Sequence, residues 1–146
     1  MKLKEFKKHC ENSHVSELIM PVINQLGGNW EDAQCTLHDV ANCYCGAAGG
    51  FGGFVYYSET SAFARRNRAR IVRSLENLAE GLGEDIVTMV KGFKCLDNEF
   101  SSSEIGKALW GRYDDDLQVV YNALAWYALE EVAREYADFE YEQNNN

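Results

Sequence analysis

Apolar positions recur along most of this chain at intervals of three and four residues, and strict alternation is nearly absent, so helices are the expected element. "KLKEFKKHC" opens with a short amphipathic piece. A second segment, with Ser13 or Ser16 as N-cap, carries Leu18, Ile19, Val22, Ile23 and Leu26 and ends at Gly27 and Gly28. The sole proline, Pro21, must kink this helix or lie in its first turn. Asn29 then caps "WEDAQCTLHDVANCYC", where Glu31 and Asp32 suit the positive helix end and Trp30, Ala33, Leu37, Val40 and Ala41 share a face.

A glycine-rich segment, "CYCGAAGGFGGFVYYSET", follows at 43 to 60. Beyond it, Ser58 or Thr60 is expected to cap one helix through Phe63, Ile71, Val72, Leu75, Leu78 and Ala79, closed by Gly81 and Gly83. Shorter helices are expected over 84–93 and in "SSSEIGKALWG", where Glu104 stands at a capping-box offset from Ser101. Asp114, Asp115 and Asp116 then open a long last helix. Its stripe of Leu117, Val120, Tyr121, Leu124, Tyr127, Ala128 and Val132, with Val119, Ala123 and Trp126 beside it, is broad enough for a central position. The expected fold is therefore all-α: a single compact bundle of about six helices over 1–140, with a glycine-rich connection at 46–53 and a frayed polar tail at 141–146.

Composition agrees with one globular domain. The chain has 146 residues, 46% hydrophobic, 25% charged and 12% aromatic. No apolar run approaches the roughly 18 residues a membrane span needs, and the basic start has no apolar stretch behind it. Five cysteines, an odd number without dense regular spacing, point to reduced thiols, hence to a cytoplasm.

Charge changes the picture more. The net charge is −9, which argues against direct nucleic-acid binding on average. It is also segregated: residues 65–73, "RRNRARIVR", hold five arginines and no acid, whereas residues 113–142 hold nine acids and Arg134 alone. On one helix, Arg65, Arg68 and Arg73 group on one side and Arg66, Arg70 and Arg73 on the other, so Arg65, Arg66, Arg68 and Arg70 can make much of its exposed circumference a basic contact surface. Glu130 and Glu131 on the acidic last helix can form a second face, imitating a phosphate backbone.

Candidate chemistry divides three ways. Cys35, His38, Cys43 and Cys45 spell C-x2-H-x4-C-x-C, four zinc-type ligands in eleven residues. Cys43, however, falls about 80° off the face shared by Cys35 and His38 at roughly 100° per residue, so small buried thiols and a surface or capping histidine are the expectation, with no metal or other cofactor. His9, Cys10 and His14 form a looser group. The glycine segment could cradle an anion or small molecule beside Tyr56, Tyr57, Glu59 and Arg66, which is the enzyme or ligand-binding alternative. No strand precedes it, so turn geometry is favoured over a nucleotide loop. Phe51, Phe54, Tyr56 and Tyr57 cannot all face one core, and exposed members of that set would make a protein contact. No catalytic residue is assigned.

The pattern "HDVANCYCGAAGGFGGFVYYSETSAFARRNRARIV" resembles a family of small, uncharacterised phage and prophage proteins. In that family a D-[IV]-x-N helix end leads to a glycine-rich turn, then G-F-x-Y-Y-x-[DE]-T, an amphipathic helix and a later G-F-x-C-L. The corresponding elements here are Asp39 to Asn42, Gly49 to Gly53, Phe54 to Thr60 and Gly92 to Leu96, and "NALAWYALEEVARE" fits as well. The similarity spans roughly residues 35 to 137. It implies a mobile-element protein that binds and inhibits or modulates a host protein or complex, such as an anti-phage defence assembly, by surface occlusion. A homodimer and a small zinc-stabilised module are further options, and no membrane partner is expected.

Overall fold

The computed structural model describes residues 2–42, 57–85 and 117–145. Every regular element among them is helical: α1 (Lys2–His9), a 3-10 turn (Ser16–Leu18), α2 (Ile19–Gln25), α3 (Trp30–Asn42), α4 (Tyr57–Arg66), α5 (Arg68–Leu82) and α6 (Leu117–Asn144). The protein is all-α, as its periodicity predicts. None of the described helices is long and apolar enough to cross a membrane. The glycine-rich connection and the helices expected over 84–93 and near Ser101 lie outside the described residues, apart from Glu84 and Asp85.

Contacts group the chain into two compact units, Met1–Val55 with Ala128–Asn146, and Tyr56–Tyr127. In the first, Pro21 is the third residue of α2, inside the first turn, where its missing N–H is not needed. Neither expected serine caps α2. Ser13 Oγ instead accepts the Val15 N–H at 3.2 Å and stabilises the turn leading in. Helix α2 ends in a Schellman arrangement: the Gly28 N–H reaches the Ile23 carbonyl at 3.1 Å, with Gly27 at φ 115 and Gly28 at φ 81, a conformation that side chains resist. Asn29 then caps α3 as expected, its Oδ1 accepting the Asp32 N–H at 2.9 Å while its Nδ2 donates to Asp32 Oδ2 at 2.8 Å.

The core of this unit gathers Phe6, Val15, Leu18, Ile19, Val22, Ile23, Ala33 and Leu37 with Ala128, Leu129, Val132, Ala133, Tyr136 and Phe139 of α6. Phe6 is its centre. Its ring lies 5.6 Å from Trp30, 5.6 Å from Tyr136 and 5.5 Å from Phe139, separations at which tilted and edge-on rings attract. Helix α6 continues past the expected frayed boundary to Asn144. The Asn145 side chain donates to the Tyr141 carbonyl at 2.8 Å and closes its last turn.

In the second unit, the helix expected to run unbroken from Ser58 or Thr60 to Gly81 is two helices, α4 and α5, and both expected caps fall inside the first turn of α4. Asn67 makes the break. Its φ of −111 and ψ of 17 leave the helical region, while its buried Nδ2 donates to the Phe63 carbonyl at 3.0 Å. The helix is interrupted but the register survives, because the Asn67 N–H still reaches Phe63 O and the Ile71 N–H still reaches Asn67 O. Gly83, at φ 68, terminates α5, with the Glu84 N–H on the Ala79 carbonyl at 3.0 Å. Phe63, Ala64, Ile71, Leu75 and Ala79 are buried here, as are Leu124, Ala125 and Tyr127 of α6. Ser74 Oγ and Tyr127 Oη share a buried hydrogen bond of 2.9 Å.

Candidate functional site

The arginines expected on one helix are divided between α4 and α5. Arg65 and Arg66 at the end of α4 and Arg70 in α5 are exposed, and Arg68 is partly buried. Arg70 Nη1 donates to Asn67 Oδ1 at 3.2 Å, so the break between the helices also steadies one of these side chains. Phe51, Phe54 and Tyr56 lie outside the described residues. Tyr57 and Glu59 belong to the first turn of α4, but their side chains are not described.

The acidic candidates behave differently from expectation. Glu130 is partly buried, whereas Glu131 is only 3% exposed and so drops out of any surface row of acid. Its Oε1 accepts the His14 Nε2–H at 2.9 Å. The other oxygen, Oε2, has no hydrogen-bond donor among the described residues, with Arg134 Nε at 3.6 Å. An ionised carboxylate so placed costs several kcal/mol unless paired, so the imidazole is a structural requirement. A sequence signal existed: Glu131 follows Tyr127 by four residues and Ala128 by three, which puts a lone acid in the middle of the apolar stripe.

Glu131 is one of a set. All three histidines of the chain face glutamates of α6: His9 Nδ1 lies 3.3 Å from Glu142 Oε2, and His38 Nδ1 donates to Glu140 at 2.9 and 3.2 Å to its two oxygens. Ser13 Oγ adds a bond to Glu135 Oε2 at 3.2 Å. The acids of α6 therefore clasp α1, α3 and the turn between α1 and α2. Beside them, burial and then the Glu135 charge push the Cys10 thiol up to about 12, leaving it protonated and a poor nucleophile. Burial and then Glu140 also raise the Tyr136 phenol, whose hydroxyl donates to Glu140 Oε2 at 3.4 Å.

This clasp also bears on the metal candidates. His38 is engaged by Glu140, Cys35 is exposed on α3 rather than buried as expected, and Cys43 and Cys45 lie outside the described residues. Among the described residues no group of three or more histidine, cysteine or acid side chains is arranged to hold a metal ion.

Residues 6–143 match the family model of a domain of unknown function, DUF7222. The chain belongs to the DUF7222 family. No curated protein and no solved structure matches it. The DUF7222 match covers α1 through nearly all of α6, so the clasp and the arginine face both lie within the family domain.

Proposed function

We propose that this DUF7222 chain is a partner-binding accessory protein of a phage or prophage, which inhibits or modulates a host protein complex by covering part of its surface. The contact is made by the arginine end of α4 and α5. The observation that carries this reading is the exposure of Arg65, Arg66 and Arg70 on one short stretch of a chain whose net charge is −9. A patch of the opposite sign on an acidic protein selects acidic partners and speeds encounter with them. The phage setting rests on the resemblance of residues 35 to 137. Burial of Glu131 argues against the alternative contact through Glu130 and Glu131.

The test is quantitative affinity capture from the host cell with the wild-type chain and with an R65E/R66E/R70E variant. Specific host proteins should be retained by the wild type and lost from the variant, and retention should weaken as salt rises. Equal retention by both chains would refute this surface.

A further inference from the structure

The arginines are only half of a longer exposed stripe. Continuing along α5, Arg73, Glu76 and Glu80 are exposed, as is Glu84 just beyond its C-terminal glycine. Arg70, Arg73, Glu76 and Glu80 fall within an arc of about 120° at roughly 100° per residue. Ile71, Ser74, Leu75 and Ala79 occupy the opposite, buried side. The stripe is thus basic in its first half and acidic in its second, with the sign changing between Arg73 and Glu76.

Such a stripe is complementary to itself in one orientation only. Two copies aligned in parallel set arginine against arginine and glutamate against glutamate. Turned antiparallel about a two-fold axis at the level of Leu75, Arg70 comes opposite Glu80 of the second copy and Arg73 within one residue of Glu76. Isologous pairing of this kind is the commonest symmetry of protein dimers. A partner of uniform charge would instead meet one half of the stripe favourably and the other unfavourably.

We propose that the stripe holds a second copy of this chain in antiparallel orientation. The inference rests on the preceding reading of α4 and α5 as a contact surface. Arg70 to Glu80 spans only about 15 Å at 1.5 Å per residue, so the dimer is weak, charge-held and reversible. Arg70, which it covers, is also part of the face assigned to the acidic host partner. Self-association therefore competes with host binding and keeps the basic patch covered until an acidic surface displaces the second copy.

Sedimentation of the full-length chain tests this through charge swaps at two exposed positions, with far-UV circular dichroism confirming that each variant is folded. The wild type should dimerise at low salt and dissociate at high salt. R70E and E80R should each weaken the dimer by about tenfold or more, since each sets like charges opposite one another twice. An equimolar mixture of R70E with E80R should restore it, and so should the double variant R70E/E80R alone. A wild type that stays monomeric at low salt, or a mixture that associates no better than its components, would overturn the proposal. The host-binding reading fails separately: it is judged by capture with R65E/R66E/R70E, whatever the oligomeric state.

Discussion

The two compact units of this chain put their charge to opposite uses. In the unit built from residues 1–55 and 128–146, acids of α6 are drawn toward histidines and a serine of the N-terminal segment, and one of them, Glu131, is buried. In the unit built from residues 56–127, Arg70, Arg73, Glu76 and Glu80 of α5 stay at the surface, sorted by sign along one stripe. Charge in the first unit holds the fold together. In the second, most of the described charge lies exposed to solvent, where the proposed contact is made. The same residue types thus carry different roles, decided by whether a neighbour desolvates them.

That contrast can be broken at graded points. Phe6→Ala should cost most, about 3–5 kcal/mol by urea unfolding, because it empties the centre of a four-ring cluster. His14→Ala should cost about 3 kcal/mol by leaving the buried Glu131 carboxylate without its donor, and combining it with Glu131→Leu should recover much of the loss. Tyr127→Phe in the second unit should cost about 1–2 kcal/mol, the penalty for leaving Ser74 Oγ without its buried partner.

Cys10 sharpens the comparison without any loss of stability. Its thiol, pushed up to about 12, should resist alkylation in the folded protein near pH 8, while exposed Cys35 reacts; peptide mapping by mass spectrometry separates the two. Linkage fixes the sign of its pH dependence. The unfolded thiol loses its proton first, near its ordinary 9.0, so Cys10 favours the fold below that pH and its contribution is lost as pH rises toward 12. Unfolding of Cys10→Ser should show a shallower decline over that range.

Much of the fold was legible because its signals are local. Asn29, Gly27 with Gly28, and Gly83 mark helix ends through their own side-chain or backbone chemistry, and Pro21 admitted only two placements. The break at Asn67 was not legible, since an asparagine inside a periodic segment also fits a helix surface, and only its bond to the Phe63 carbonyl decides otherwise. The histidine clasp was beyond sequence reasoning for a different cause. His14 and Glu131 are 117 residues apart, and no periodicity relates positions on separate helices. Of the candidate site, the run of arginines was legible as a cluster but was expected on one helix, whereas the sign change along α5 became meaningful once Arg70, Arg73, Glu76 and Glu80 were seen to share the exposed side.

The claim that charge is structural in one unit and external in the other is tested most directly by one paired measurement: urea unfolding of His14→Ala beside R65E/R66E/R70E. The histidine variant should lose about 3 kcal/mol, and the triple arginine variant should lose less than half as much despite reversing three charges, because those charges are solvent-exposed. Comparable losses in both, or a larger loss in the arginine variant, would contradict the account.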